Sequence, residues 1–433
     1  MHLAFTERFA LWLYGCVMAA LAPLLRLKLH RRGRRESLYL ERIEHRFGYY
    51  PEVSGVEGLI WVHAVSLGET RAAGILIKAL REQNPAMRLL LTHGTATGWA
   101  EGGRLLKPGD IQVWAPWDTP AVVHRFLNRF RPCMGILLET EVWPFWVRGC
   151  REQGIPLYLV NARMSQRSLI RALRFRGLAL PAYRGLHAVL AQTESDAERL
   201  RQLEAPVKLV MGNLKYDLVE DPAQKALGQQ WRASLTRPAV MLASSREGEE
   251  AEFLKILNDL GAAADTVQWM IVPRHPQRFD AVARLITDTG WTVQRRSQWS
   301  NNSPPDFNAS MRTIWLGDSL GEMQAYYHLA SVAWLGGSFA PFGGQNLIEA
   351  SACGCPVIMG PHTFNFTEAA ELALQSGAAK RVVSMKLAWH ETNRWLGSSD
   401  HLKAAGDAHR LWLEQSRGSA TRSTRFLLGN SIS

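Results

Sequence analysis

The stretch "WVHAVSLGETRAAG", residues 61–74, passes from a strand pattern to a helix pattern within a few residues. It begins as an apolar run, breaks at Gly68, presents one carboxylate at Glu69 and continues with helix-forming residues. A buried strand that leads through a short loop into a helix is the repeating element of parallel α/β sheets. The stretch therefore predicts such a strand–helix unit, with Glu69 where the strand has just ended.

The same alternation of apolar runs and helical stretches continues along the chain. It includes the runs "RLLLT", "MGILLE", "IPLYLVNA", "HAVLAQT" and "VKLVMGN". A polar segment without strand patterns, residues 216–238, interrupts it, and it resumes with "AVMLASS", "VQWMIVPRH", "RTIWLGD", "SVAWLGGS" and "CPVIMG". A chain of 433 residues is also too long for one ordinary core. The pattern predicts two doubly wound parallel α/β domains, residues 31–217 and 222–433, with a short linker between them.

The N-terminus differs from this globular pattern. The chain carries no charge from Phe9 to Leu25, and the basic run "RLKLHRRGRR" follows from Arg26. The arginines follow the apolar run instead of preceding it, which argues against a cleavable signal peptide. Residues 1–30 therefore predict a single membrane anchor, with the rest of the chain on the cytoplasmic face of the inner membrane. The alternative is a buried first helix. The predicted sheets begin near Leu59, so if the anchor prediction holds, they need no packing contact from residues 1–30.

Charge and metal-ligand patterns narrow the function classes only slightly. The net charge of +11 suits nucleic acid, a membrane surface or anionic substrates equally well. No D-x-D triplet is present, and Glu139-Thr-Glu141 is the nearest substitute for an acidic metal site. The five cysteines are odd in number and scattered, which favours reduced, mostly buried thiols. We therefore expect no metal site.

Polar residues follow the predicted strands of the first domain. In open parallel sheets, ligands bind beyond the carboxyl ends of the strands. Carboxylates and a lysine at that edge would supply a general base and an electrostatic stabiliser. For any one of them taken alone, a helix cap or a surface ion pair is the alternative. The residues concerned are Glu69, Glu139, Glu141, Asn161, Arg163 and Lys215.

The strand ends of the second domain are suited to a nucleotide. Glycines in "GDSLGE" would let the backbone approach a phosphate, and Arg274 could clamp it. Asn346 and Glu349 lie three residues apart in a predicted helix and could bond a ribose, although a helix cap is the alternative for them. Ser244-x-x-Glu247 has the form of a capping box and predicts a helix start there. Neither glycine segment matches the phosphate-binding loop of ATPases or the dinucleotide fingerprint, which disfavours ATP and NAD.

The ordered motifs closely resemble one family. They are "HAVSLGE", "ETEVWP", "NARMS", "GNLKYD", "PRHPQRF", "GDSLGE", "GGQNLIEA" and "GPHTFNF". In this order they resemble the 3-deoxy-D-manno-octulosonic acid (Kdo) transferases of lipopolysaccharide synthesis. The resemblance implies a GT-B fold of two Rossmann-like domains facing across a cleft, behind an N-terminal membrane-anchoring helix. It makes residues 31–217 the acceptor side and residues 222–433 the nucleotide-sugar side.

The resemblance also implies an activity and a set of site residues. The activity is metal-independent, inverting transfer of Kdo from CMP-Kdo to the lipid A precursor lipid IVA, without a cofactor. Anionic inner-membrane lipids are expected partners and nucleic acid is not. By motif, Glu69 becomes the general base, and Glu139 and Lys215 become transition-state stabilisers. The implied CMP contacts are Pro273, Arg274, Leu320, Gly321, Glu322, Asn346, Leu347, Ile348 and Glu349.

Three departures from the family pattern keep alternatives open. Gln345 and Arg246 stand where the family usually has histidine, and "THGTATG" replaces a threonine-rich "TTTPTG". A paralogous transferase that uses a related sugar or lipid would accommodate them. A nucleotide-sugar epimerase of the same shape, or a membrane-bound protein that has lost catalysis, are the remaining alternatives. The predicted anchor argues against an epimerase. Retention of Glu69, Glu139 and Lys215 argues against a protein that has lost catalysis.

Overall fold

The chain folds into two compact units, seen in a computed structural model that describes residues 4–34, 36–52, 57–299, 304 and 312–429. The first unit comprises Met1–Asp217 together with Arg417–Ser433, and the second comprises Leu218–Ser416. Each unit is built around one parallel sheet of seven strands, which confirms the predicted pair of doubly wound α/β domains.

The sheet of the first unit has the order β3-β2-β1-β4-β5-β6-β7. Its strands are β1 (Leu59–His63), β2 (Arg88–His93), β3 (Ile111–Trp114), β4 (Met134–Leu138), β5 (Leu157–Ala162), β6 (Ala188–Ala191) and β7 (Val207–Val210). The chain builds outward from β1 to one edge, returns, and builds from β4 to the other edge. The order therefore reverses between β1 and β4, and a crevice for ligands opens at the carboxyl ends of such strands.

Helices cover both faces of this sheet. They are α1 (Phe5–Ala20), α2 (Ala22–Gly33), α3 (Leu67–Gln83), α4 (Ala96–Gly103), α5 (Pro120–Phe130), α6 (Pro144–Glu152), α7 (Gln166–Arg174), α8 (Arg176–Arg184) and α9 (Glu194–Arg201). Successive residues of a strand point to opposite faces of the sheet and so belong to different cores. Trp61 packs with Phe126 and Trp146 on one face, and Val62 packs with Leu76 on the other. Because both faces are buried, β1 is apolar along its length, and this makes the strand visible in the sequence.

The second unit repeats the plan with the order β10-β11-β9-β8-β12-β13-β14. Its strands are β8 (Ala239–Ser245), β9 (Gln268–Pro273), β10 (Thr292–Arg295), β11 (Thr313–Leu316), β12 (Val332–Leu335), β13 (Val357–Met359) and β14 (Ala379–Arg381). Its helices are α10 (Pro222–Ala233), α11 (Glu249–Leu260), α12 (Phe279–Asp288), α13 (Met323–Leu329), α14 (Ile348–Ala352), α15 (Thr367–Gln375), α16 (Met385–Leu396) and α17 (Ser399–Ser416). Here the order reverses between β8 and β12.

The last helix, α18 (Ser419–Leu427), corrects the predicted second domain, residues 222–433, because it packs on the first unit. The Asp217 carboxylate accepts hydrogen bonds from the backbone N–H groups of Gly418 and Ala420, at the start of the helix. Ala420 and Leu427 join the core beneath α3. No local sequence pattern predicts that α18 packs on the first unit, because the residues in contact are far apart in the chain.

The N-terminal segment is also different from the single anchor helix that was predicted. Helices α1 and α2 meet at Leu21 with a bend of 47°, next to Pro23, whose ring and missing N–H favour a helix start. Within the described residues, no single helix has the length and apolarity to cross a membrane, whereas this bent pair passes by length and composition alone. Residues 1–3 of the predicted anchor lie outside the described residues.

Helix α1 packs on the first unit, so the prediction that the sheets need nothing from this segment is wrong. Leu11 is 7% exposed and belongs to the core cluster that contains Trp61. The Tyr14 hydroxyl donates to the buried Asp118 carboxylate at 2.9 Å, and Glu7 pairs with Arg184 at 2.7 Å. One face of α1 is therefore part of the fold.

The opposite side of the same segment is apolar and exposed. Phe5 is 84% exposed, Trp12 is 62% exposed and Phe9 is 56% exposed, and Leu24 and Leu27 continue the exposed apolar surface on α2. The last turn of α2 is basic. The N-terminal pair thus joins the protein core by one face and leaves a large apolar surface uncovered by the described chain.

Candidate functional site

Glu69 lies in the first turn of α3, just beyond the carboxyl end of β1. Ser66 is the N-cap residue of α3, and its hydroxyl accepts the Glu69 N–H at 3.4 Å. In return, the Glu69 carboxylate accepts from the Val65 N–H at 2.7 Å and from the Ser66 hydroxyl at 3.1 Å. Glu69 therefore takes part in the cap of α3, and the cap fixes its carboxylate at the point where the strand order reverses.

The electrostatic surroundings of Glu69 suit a base that works near neutral pH. The pKa of this carboxyl is raised to about 7, chiefly by burial and also by the negative charges of Glu139 and Glu141, against the hydrogen bonds from Val65 and Ser66, which lower it. A general base is most effective when its pKa lies near the working pH. The carboxyl group of Glu69 meets that condition.

Glu139 and Lys215 form an ion pair at the carboxyl edge of the same sheet. The Lys215 Nζ lies 2.9 Å from the Glu139 Oε1, and an Arg163 guanidinium nitrogen lies 3.9 Å from the Oε2. Glu139 is only 8% exposed. Two cations therefore face one buried carboxylate, next to β1 and within electrostatic range of Glu69.

Glu139 and Asn161 both have left-handed backbone conformations, with φ of 59° and 56°. Such angles are uncommon for residues other than glycine and are associated with functional sites. Each follows or ends a strand, and the Glu139 N–H donates to the Val160 carbonyl at 3.1 Å. The turn after β4 thus directs the Glu139 side chain toward Lys215 instead of along the strand.

Lys215 is held by an amide network that sequence reasoning missed in part. The Asn161 side-chain oxygen accepts from the Leu214 N–H at 3.0 Å, and the Asn213 side-chain oxygen accepts from the Lys215 N–H at 3.0 Å. Gln192 links the two, because it donates to the Asn161 carbonyl and accepts from the Asn213 side chain. Gln192 follows an apolar strand pattern in the sequence, and Asn213 lies in the motif "GNLKYD", but neither was named as a site residue.

The segment "THGTATG", residues 92–98, packs directly against the loop that precedes Glu69. The Thr95 hydroxyl donates to the Val65 carbonyl at 2.8 Å and also caps α4. At Gly98, a β-carbon would lie 2.8 Å from the Val65 carbonyl oxygen, so only glycine fits without a shift. The departure from the family pattern therefore lies next to Glu69.

In the second unit, Glu322 is held in place by neighbouring groups. Its carboxylate pairs with Arg296 at 2.8 Å and accepts from the Ser319 hydroxyl. Gly321 has a φ of 84°, which glycine adopts easily, and Leu320 is 72% exposed. The segment before α13 thus presents a fixed carboxylate and an exposed leucine.

Arg274 follows Pro273, the last residue of β9, and lies near both of the departures in this unit. Its Nε donates to the Gln345 side-chain oxygen at 3.1 Å. Arg246 stacks over the Phe342 ring at 4.4 Å in the same loop region. Gln345, in place of the family's histidine, therefore accepts a hydrogen bond from the arginine that we expect to contact the nucleotide.

Asn346 and Glu349 contact each other at the start of α14. The Asn346 amide donates to the Glu349 carboxylate at 3.3 Å, and its oxygen caps the Ile348 N–H at 3.1 Å. The Asn346 side chain therefore caps the start of α14, and its NH₂ group faces Glu349. Leu347 and Ile348 are buried, at 0% and 2% exposed, and their predicted contact with CMP stays a prediction.

The predicted capping box at Ser244 and Glu247 is wrong, and Glu249 takes its place. Helix α11 begins at Glu249, whose carboxylate reaches back three residues to the Arg246 N–H at 2.9 Å. It also accepts from the N–H groups of Gly337, Phe339 and Ala340, in the loop after β12. One buried carboxylate therefore fixes the loop where the second sheet reverses its order.

No group of three or more histidine, cysteine, aspartate or glutamate residues in the described ranges could hold a metal ion. Glu139 is paired with Lys215, and Glu141 accepts from the Trp143 indole at 2.7 Å. His63 is in the core and bonds Thr92 at 2.9 Å, and burial lowers its pKa to about 3. Independence from metal stays a prediction that activity measurements must test.

Comparison with known proteins finds similar sequences along almost the whole chain. The sequence model of a family described as 3-deoxy-D-manno-octulosonic-acid transferase (kdotransferase) matches residues 41–218. The chain is 43% identical over 423 residues to the 3-deoxy-D-manno-octulosonic acid transferase of Bordetella pertussis, covering 95% of this chain and 97% of that one. It is 31% identical to the transferase of the same name from Haemophilus influenzae, over 89% of this chain and 90% of that one.

Among solved structures, a UDP-GlcNAc 2-epimerase from Neisseria meningitidis, bound to UDP-GlcNAc, is similar in fold. It covers 86% of this chain and 100% of its own, with a TM-score of 0.56 and 14% identity. At that identity the likeness shows the shared α/β fold alone. It does not favour the epimerase alternative over relatives that match across nearly the whole length.

Proposed function

Because this chain belongs to the 3-deoxy-D-manno-octulosonic acid (Kdo) transferase family, it is a glycosyltransferase that transfers Kdo in lipopolysaccharide biosynthesis, and we propose that CMP-Kdo is its donor and lipid IVA its acceptor. The observation that carries the proposal is the group formed by Glu69, Glu139 and Lys215 at the switch point of the first sheet. A base with a pKa near 7 next to a fixed ion pair is what displacement at a sugar carbon by a hydroxyl needs.

In the proposed mechanism, Glu69 takes the proton from the attacking acceptor hydroxyl. The hydroxyl oxygen forms a bond to the anomeric carbon of Kdo while the bond to the CMP phosphate breaks, which inverts that carbon. Lys215, held by Glu139, stabilises the charge that develops on the reacting groups. No step uses a metal ion or a cofactor.

We assign the CMP contacts to the second unit, by motif. Arg274 would bond the phosphate or base through its guanidinium, with Gln345 orienting it. Glu322, fixed by Arg296, and the pair Asn346 and Glu349 would form hydrogen bonds with the ribose hydroxyls. Arg246 stacks over the Phe342 ring nearby. Because Arg246 and Gln345 both depart from the family pattern, a donor with a related base or sugar is the alternative to CMP-Kdo.

The N-terminal helices are proposed to hold the enzyme on the cytoplasmic face of the inner membrane. The support is the exposed apolar surface of Phe5, Phe9 and Trp12, next to the basic last turn of α2. An apolar face flanked by cations suits the interface of a bilayer with anionic lipids. Because α1 also packs on the core, we propose that the pair lies in the membrane surface.

One assay tests the proposed reaction. Purified full-length protein is incubated with CMP-Kdo and lipid IVA, and the lipid product is weighed by mass spectrometry. We expect a mass increase of one or more Kdo units together with release of CMP. An unchanged lipid, with the same protein binding CMP, would refute lipid IVA as the acceptor.

A further inference from the structure

Helix α7 carries three arginines on its solvent-facing side. Arg167, Arg171 and Arg174 lie at positions i, i+4 and i+7, on the side of the helix away from the buried Leu169, and all three are exposed. We call them the arginine stripe. In the described part of the chain, none of the three guanidinium groups has an ion-pair or hydrogen-bond partner.

Arg171 and Arg174 lie in the last turn of α7, where a cation interacts favourably with the helix dipole by about 0.3–1 kcal/mol. Like charges three or four residues apart destabilise a helix by about 0.2–0.5 kcal/mol per pair. This repulsion among the three arginines remains beside the dipole interaction, and an anionic ligand bound to the stripe would offset it.

The helix that carries the stripe follows directly after a contact with the proposed catalytic group. Arg163, three residues before α7, lies 3.9 Å from the Glu139 carboxylate, and its N–H donates to the Glu139 carbonyl at 3.2 Å. The next residue, Met164, is bonded on both sides, to Asp196 at 2.7 Å and to Arg199 at 3.0 Å. The start of α7 is thus fixed relative to Glu139, and the stripe extends from there over about 10 Å.

Exposed apolar side chains accompany the stripe. Ile170 is 47% exposed, Leu173 is 40% exposed and Phe175 is 67% exposed. Every cation from residue 163 to residue 176 is an arginine. Arginine binds phosphate oxygens in a bidentate manner, which lysine cannot do. Cations for phosphate beside apolar contacts are typical of sites for phosphorylated lipids.

We infer that the arginine stripe binds the phosphate groups of the lipid acceptor and so brings its reacting hydroxyl to Glu69 and Glu139. The inference rests on the proposed function, because lipid IVA is a phosphorylated and acylated sugar. Bilayer phospholipids are the other source of phosphate. The acceptor is favoured because Arg163, three residues before α7, contacts the Glu139 carboxylate.

The test measures acceptor binding by the full-length protein without donor, in detergent micelles and therefore without a bilayer. The variant carries Arg167→Gln, Arg171→Gln and Arg174→Gln. Its Kd for lipid IVA should rise at least about tenfold, since hydrogen bonds to charged groups are each worth more than 1 kcal/mol. Enzymatic removal of the phosphates from lipid IVA should weaken binding to the wild type by a similar factor and leave binding to the variant unchanged.

A matched control removes the same number of charges from exposed lysines of the first unit, through Lys78→Gln, Lys107→Gln and Lys208→Gln. Its Kd for lipid IVA should stay within about twofold of the wild type, because surface charges away from the ligand act weakly. Replacing the three arginines of the stripe by lysine should restore part of the affinity. Circular dichroism and CMP binding verify that each variant is folded.

Three results would overturn the inference. The Kd of the stripe variant could equal that of the control, or the variant could lose affinity for the dephosphorylated lipid as well. The variant could also bind acceptor normally in micelles and lose only its flotation with phosphatidylglycerol vesicles, which would assign the stripe to the bilayer. Failure of the proposed function is a separate result, in which the wild type forms no product from CMP-Kdo and lipid IVA.

Discussion

Replacing Glu69 by glutamine should abolish transfer and, at the same time, stabilise the folded protein above neutral pH. Glutamine keeps the shape of the side chain and cannot take a proton from the acceptor. Removal of a general base typically lowers the rate by about 100- to 10,000-fold. In the wild type, kcat/KM should rise with pH through about 7, because only the ionised Glu69 acts as the base.

The stability change follows from the pKa of Glu69 in the folded protein. Burial raises it from the ordinary 4.5 to about 7, so the folded state favours the protonated form. Below pH 4.5, Glu69 is protonated in both the folded and the unfolded state, and its burial then has no charge penalty. Between pH 4.5 and pH 7 the unfolded state loses its proton first, and the free energy of unfolding falls. At pH 8, ionised Glu69 then destabilises the fold by about 3 kcal/mol relative to a neutral group, whereas at pH 5 the cost is about 1 kcal/mol.

Urea unfolding of the wild type and the variant at pH 5 and pH 8 measures this difference. Glu82→Gln, at the exposed end of the same helix, is the control. It should keep full activity and change stability by the same small amount at both pH values. A Glu69→Gln stability gain that does not grow from pH 5 to pH 8 would refute the electrostatic argument, and wild-type turnover would remove Glu69 from the mechanism.

Other parts of the molecule give three further predictions. Lys215→Met should lower kcat by about 100- to 1,000-fold with CMP binding unchanged, and a kcat within threefold of wild type would contradict its role. Transfer should persist in excess EDTA; loss of activity that magnesium restores would reinstate a metal. Tyr14→Phe should lower the free energy of unfolding by about 1–3 kcal/mol, because the buried Asp118 carboxylate loses a hydrogen-bond donor. The double variant Phe9→Ser with Trp12→Ser should leave the free energy of unfolding unchanged and reduce flotation with anionic vesicles, because both side chains are exposed.

Much of the fold could be predicted from the sequence because its signals are local. A parallel strand buried on both faces is a continuous apolar run, and the residues from Leu59 to His63 are all buried. The loop and helix that follow are equally visible, which placed Glu69 correctly at a strand end. The sequence did not show which strands lie next to β1 in the sheet, because any apolar run can pair with any other.

The candidate site was predicted residue by residue, but its contacts were not. Glu139 and Lys215 are 76 positions apart and meet only because β4 lies near the segment after β7 in the folded sheet. Gln192 and Asn213 hold that segment; Asn213 belongs to the motif "GNLKYD" but was not singled out there, and Gln192 lies in none of the quoted family motifs. The pKa of Glu69 depends on burial and on charges from another strand, neither of which a linear pattern contains.

The sequence by itself determined the α/β class, the repeated strand–helix units and the family motifs, because each depends on residues close together in the chain. Tertiary structure decided where the strand order reverses, that α18 returns to the first unit through Asp217, and that α1 packs on the core through Leu11 and Tyr14. The same apolar segment was interpreted as an anchor because hydrophobicity alone does not show which partner covers it. Packing assigned one of its faces to the protein and left the other exposed.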